Sequence, residues 1–239
     1  MRQQILYYAV KYHGEYQTMK KAIEKNEPWE KIEYEGHYLT LLDENYPKCL
    51  FQLEEPPFIL FYEGNLDLLN QRCVCVIGSR NISNHAYKSI ASLMRNIDPK
   101  EVIVSGLAKG IDALAHQEAI RSHRKTIGVI GCGLDICYPK QNEVLYVTMK
   151  KDHLVLSEYP KGTKPFSHHF PLRNRILAAL SDRCYVVEAK RKSGTMITAN
   201  YAFSLNKEVI AFPHRYDDVF GEGCNELIQL GASVFIAER

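Results

Sequence analysis

The stretch Lys161-Gly-Thr-Lys164-Pro-Phe166-Ser-His168-His169-Phe170-Pro171-Leu-Arg173-Asn174-Arg175 holds four Lys or Arg, two His and two Phe, and no acidic residue falls between Glu158 and Asp182. A surface that only solubilises a protein normally mixes charge signs. One-signed charge interleaved with rings suits an unpaired polynucleotide: cations follow the phosphates, and ring faces take the bases at about 1–3 kcal/mol per stack. Lys164, Phe166, His168, Phe170, Arg173, Asn174 and Arg175 are the candidates here. The competing reading puts both phenylalanines in the core and leaves the cations as solvated charge. Pro171 suits the first turn of a helix, which would present Arg173 and Asn174 near its positive end.

Four short loops carry a second signal. Gly78-Ser79-Arg80, Ser105-Gly106-Leu-Ala-Lys109-Gly110, Gly131-Cys-Gly133 and Ser193-Gly194-Thr195 each follow an apolar, β-branched run, the last after a short basic spacer that contains Lys190-Arg191-Lys192. Glycine lets a ligand approach the backbone closely, and hydroxyls with the free N–H groups of a following helix donate to phosphate. Each loop alone is equally a tight strand-to-helix turn. Together with Arg80, Lys109 and Lys192 they suggest a ligand with several phosphates. None forms GxGxxG or GxxxxGK[ST], so neither a dinucleotide cofactor nor a P-loop is supported. Asp112 and His116, four apart on one helix face, are a conceivable acid/base pair, but a first-turn Asp and a hydrogen-bonded structural His explain them as well. No paired carboxylates, nucleophile elbow or metal-ligand spacing is present, and no cofactor is expected.

Positioning such loops on one rim requires a parallel sheet. Strands are expected at Cys73 to Ile77, Val102 to Ser105, Thr126 to Ile130, Leu154 to Ser157, Cys184 to Glu188, Val209 to Phe212 and Ser233 to Ile236. Helical patterns fall between them near 84–96, 110–123, 141–151, 171–181, 195–205 and 222–230. Consecutive apolar strand positions separated by helices describe an α/β, Rossmann-like sheet covered on both faces, with its ligand crevice beyond the carboxyl ends of the strands. Residues 1–45 read as a small helical module, and 46–239 as the main domain, entered through a proline-rich connector that lays one strand, Phe58 to Tyr62, on the sheet.

At 239 residues and 46% apolar the chain can bury one substantial core, and its net charge of +2 says little about partners. Seven cysteines without a CxxC pair mostly sit in apolar runs and read as buried thiols. No apolar run is long enough to span a bilayer and the first residues lack a secretory pattern, so a cytoplasmic protein is expected.

The ordered motifs Tyr46-Pro47, Pro56-Pro57, Val76-Ile-Gly-Ser-Arg80, Ser105-Gly-Leu-Ala-Lys-Gly-Ile-Asp112 with Ala115-His116, Gly131-Cys-Gly-Leu-Asp135 with Tyr138-Pro139, Ser157-Glu-Tyr-Pro160, Phe170-Pro-Leu-Arg-Asn-Arg175, Val187-Glu-Ala189, Ser193-Gly-Thr195 and Gly223-Cys-Asn225 span about residues 46 to 236. They resemble the DNA-processing protein A (DprA/Smf) family. The resemblance implies an extended Rossmann-like fold, a non-enzymatic homodimer, binding and protection of single-stranded DNA, and loading of the RecA recombinase during natural transformation. It also implies that Arg80, Ser105, Gly106, Lys109, Gly110, Phe170, Arg173 and Asn174 line the DNA pocket. Ser167 stands where many members have lysine, leaving Lys164 or His168 to supply that charge. The winged-helix domain that many members carry at the C-terminus has no counterpart here, and the first 45 residues resemble their small SAM-like module. Two other readings stay open: a nucleotide-processing enzyme that cleaves N-glycosidic bonds, although Ser193-Gly-Thr-Met-Ile-Thr198 lacks the catalytic Glu of that signature, and a small-nucleotide sensor.

Overall fold

The computed structural model describes residues 1–237. Two helices, α1 (Arg2–Lys11) and α2 (Tyr16–Glu24), lead into strands β1 (His37–Thr40) and β2 (Ile59–Gly64). The chain then alternates through β3 (Cys73–Ile77), α3 (His85–Asn96), β4 (Val102–Ser105), α4 (Ile111–Arg121), β5 (Thr126–Ile130), α5 (Glu143–Asp152) and β6 (Leu154–Ser157). It finishes with α6 (His169–Leu180), β7 (Arg183–Val186), α7 (Gly194–Ser204), β8 (Glu208–Ala211), α8 (Glu222–Gln229) and β9 (Ser233–Val234). The strands form one sheet in the order β1-β2-β6-β5-β4-β3-β7-β8-β9, parallel from β6 to β9, with β2 antiparallel to both of its neighbours. This is the expected extended Rossmann-like α/β fold.

Strand residues alternate between two cores, as a period of two requires. Cys75, Val104, Val129 and Val186 face the layer of α6 and α7, while Val74, Val76 and Ile103 face α3 and α4. On α3, Ala86, Ile90, Leu93 and Met94 recur at helical spacing and are the apolar residues buried. His37–Thr40 corrects the expectation of an all-helical start: this short strand pairs with β2 at the sheet edge. Ile5, Leu6 and Met19 from α1 and α2 share one core with Ile59, Phe61 and Ile130. Four residues that run from exposed His37 to buried Thr40 give no alternation for sequence to flag.

Winding runs outward from β3 to β6, and the next connection then carries the chain back to lay β7 on the other side of β3. The order therefore reverses between β3 and β7, and a crevice opens where their following loops diverge. The returning helix α6 packs on β3, β4, β5 and α7, so every residue from Arg173 to Leu180 is buried.

His116 on α4 shows what that packing does to a titratable group. Its Nδ1 lies 2.6 Å from Thr126 Oγ1, and burial, reinforced by the His153 and Arg173 charges, pushes its pKa down to about 3. The unfolded chain protonates this ring near pH 6.5 while the folded protein keeps it neutral. The stabilisation is therefore intact above pH 6.5 and is lost as pH falls towards 3, at up to about 1.4 kcal/mol per unit. Urea midpoints measured across that window should fall less steeply for His116→Gln than for the wild type; identical acid limbs would refute the assignment.

Candidate nucleic-acid interface

A cavity of about 600 Å³ opens at the β3/β7 reversal. One wall is the end of β3 with Gly78, Ser79 and Arg80; the opposite wall is the start of α7 with Ser193, Gly194 and Thr195. Phe170, Arg173 and Asn174 of α6 close it from below, and Tyr138, from the loop after β5, stands at its margin. At the start of α7 the Met196 N–H is taken by the Ser193 carbonyl (3.1 Å), which leaves the Gly194 and Thr195 N–H groups without a helical acceptor, and a Cβ at Gly194 would meet open space, so that end is accessible to an anion.

Three consecutive α6 residues point in three directions, as 100° per residue dictates. Arg173 turns to the strand ends, its Nη1 donating to the carbonyls of Gly106 (2.7 Å) and Val129. Asn174 donates to the Gly194 carbonyl at 3.3 Å and so ties α6 to the start of α7. Arg175 leaves the cavity and forms a bidentate pair with Glu158, both bonds 2.7 Å, with both side chains buried.

Arg80 is the exposed counterpart. Its guanidinium lies 5.4 Å from the Phe170 ring centre, and Phe170 in turn lies 5.5 Å from Tyr138 at 30° between planes. Among the described residues no carboxylate pairs with Arg80 at salt-bridge distance. A cation, a ring and a second, half-exposed ring thus line one side of the opening. Asp112 is the lone carboxylate of the lining. Burial raises its pKa, and the Arg173 guanidinium and Ala108 N–H oppose that rise. His116 faces Thr126 in the core, so the two residues do not form the acid/base pair considered from their spacing.

A family model described as DNA recombination-mediator protein A matches residues 37–239. The chain belongs to that family. A DNA processing protein DprA from Streptococcus pneumoniae is 46% identical over 195 residues, covering 82% of this chain and 69% of that protein. The X-ray structure of DNA processing protein A from the same species superposes with a TM-score of 0.84 at 37% identity, over 99% of this chain and 90% of that one. DNA processing protein A from Helicobacter pylori, whose structure is described for its single-stranded DNA binding mode, gives a TM-score of 0.74 at 33% identity, over 85% and 93% of the two chains. The chain spans about half to two thirds of the length of the curated relatives it matches.

Among the candidate residues of this DNA recombination-mediator family member, the cavity gathers Gly78, Ser79, Arg80, Phe170, Arg173, Asn174, Ser193, Gly194 and Thr195. Lys109, Lys164, Phe166, His168 and Lys192 are exposed outside its lining. Phe166 and His168 stack there at 5.8 Å and 9°. Ser105, Gly106 and Gly110 lie outside the lining too. The Ser105 hydroxyl donates to the Val76 carbonyl at 2.6 Å. A Cβ on Gly106 would come within 2.5 Å of Asp112 Oδ2 and collide with the Arg173 guanidinium. Gly110, at φ +76°, leaves no room for a Cβ beside the Ser79 and Arg80 carbonyls, so its loop presses directly on the Gly-Ser-Arg loop. These two glycines fit the backbone together. Lys190, from the basic spacer before Ser193, lines the cavity as well, and so do Tyr138, Asn81, Ile197 and Thr198, which the spacing argument does not select. For Tyr138 the signal was available: Tyr138-Pro139 follows the third glycine loop on the same rim.

Proposed function

We propose that this chain binds single-stranded DNA at the β3/β7 cavity and acts there as a non-catalytic recombination mediator. Support comes chiefly from one observation: the unpaired, exposed Arg80 over the Phe170 ring, which Tyr138 flanks, beside the N-terminus of α7. A phosphate can meet Arg80 and the α7 N–H groups while a neighbouring base meets a ring, and no step of this needs a particular base sequence. Lys109, Lys164, His168 and Lys192 extend the positive field around the opening, with Phe166 as a further ring face. Arg175 we assign to the scaffold. The DNA-binding description of the Helicobacter pylori protein agrees with this reading.

In the same reading the protein works in the cytoplasm as a homodimer, protects incoming DNA during natural transformation and hands it to the RecA recombinase. No helix of the described residues is long and apolar enough to cross a membrane, which is compatible with that setting. Fluorescence anisotropy with labelled oligothymidine tests the central claim. Binding is expected to weaken steeply with salt, log K falling by about 0.7 per phosphate neutralised against log salt concentration. A protein that ignores the strand in dilute buffer, or releases free base from nucleoside monophosphates, is not this mediator.

A further inference from the structure

The loop after β8, residues 212–221, is bolted to the loop after β7. The Ala189 N–H donates to the Phe220 carbonyl (2.9 Å) and the Gly223 N–H to the Ala189 carbonyl (2.7 Å). Inside the loop, His214 uses both ring nitrogens, Nδ1 with Asp218 and Nε2 with the Val187 carbonyl, each at 2.9 Å. Asn225 exchanges two hydrogen bonds with the His214 backbone, at 3.1 and 3.0 Å, and the other Asp218 oxygen accepts the Phe220 N–H at 2.9 Å. The His214 ring occupies the space a Cβ on Gly221 would need. Such a frame leaves little slack, yet it turns Tyr216 outward at 93% exposure, the highest of any large hydrophobic side chain among the described residues. A ring held out in water by a loop with a rigid frame gains nothing from folding, and its attachment point is preorganised for a partner.

We propose that Tyr216 is a second stacking platform for unpaired DNA, taking a base of the strand as it leaves the cavity. This inference rests on the DNA-binding reading above. Continuity supports it: β8 lies two strands from β3, about 10 Å, and the loop joining the two places carries Lys190, Arg191 and Lys192, all exposed, with Lys190 in the cavity lining. Charge supports it as well. Asp218 is held by His214 and Asp217 by Arg215 (3.0 Å), whereas among the described residues Lys190 and Lys192 form no ion pair and Arg191 has a single one, 3.8 Å from Glu226. The bridge between cavity and ring is therefore cationic, as a phosphate chain requires.

Oligothymidines of increasing length discriminate. The shortest strands that bind should bind wild type and Tyr216→Ala alike, because they fill the cavity alone. Longer strands should bind Tyr216→Ala at least about fivefold more weakly, the loss of one stack. Tyr216→Trp in a Trp29→Phe background, which removes the chain's only tryptophan, should keep wild-type affinity and lose emission when the longer strand binds. Equal affinities of wild type and Tyr216→Ala at every length, or an emission indifferent to DNA, overturn the platform while leaving the cavity intact. Failure of the wild type to bind any length removes the DNA-binding reading and the platform with it.

Discussion

Arg80→Ala should bind oligothymidine about ten- to a hundredfold more weakly than the wild type, with a log K against log salt slope shallower by about 0.7, at unchanged thermal stability. The magnitude follows from one charge-assisted contact, about 1.5–3 kcal/mol, and the slope from one phosphate no longer neutralised on a single strand. Stability should hold because Arg80 is exposed and carries no ion pair among the described residues, its guanidinium lying over the face of Phe170. Arg173→Ala should behave differently, although the two arginines look equivalent in sequence. Nη1 of Arg173 is committed to the Gly106 and Val129 carbonyls, so its removal strips buried acceptors of their donor and loosens the ends of β4 and β5. Anisotropy titrations at several salt concentrations, paired with melting curves, separate the two roles. An Arg80→Ala protein with wild-type affinity and slope would remove Arg80 from the interface.

Glu158→Ala should lower the free energy of unfolding by about 3–5 kcal/mol, because it strands the buried Arg175 guanidinium without its carboxylate. Arg175 is poorly placed to compensate: its Nε has no partner even in the intact pair. The same pair fixes the start of the Tyr159–His168 segment, where Tyr159 stacks on His169 at 3.9 Å and 13°, so the rim bearing Lys164, Phe166 and His168 should loosen too. Replacing both partners by apolar groups, Glu158→Leu with Arg175→Met, should recover most of the stability, since two desolvated charges disappear together. Urea unfolding of the three proteins decides this. A single substitution costing under about 1 kcal/mol would mean that water reaches the site and screens it.

The sequence announced the four glycine loops and their shared rim, because buried parallel strands are read as consecutive apolar residues and each loop closes one of them. Helix limits came out within about two residues: α6 begins at His169 rather than Pro171, which keeps the proline in the first turn. Phe170 of the basic, ring-bearing stretch lies in the cavity lining. What composition and spacing could not separate was the fate of neighbouring charges. Arg173, Asn174 and Arg175 form one basic, polar patch in the chain, but a helix points them at a strand end, a neighbouring helix and a buried glutamate.

From the chain alone came the family resemblance, the doubly covered parallel sheet and the rim on which the ligand loops gather, because hydrophobic period and ordered motifs are local properties. The tertiary structure alone decided that the strand order reverses between β3 and β7, that Arg80 is free while Arg173 and Arg175 are engaged, and that Tyr138 joins Phe170. Those outcomes depend on which distant segments meet, and the packing of α6 between the sheet and α7, rather than any local pattern, determines them.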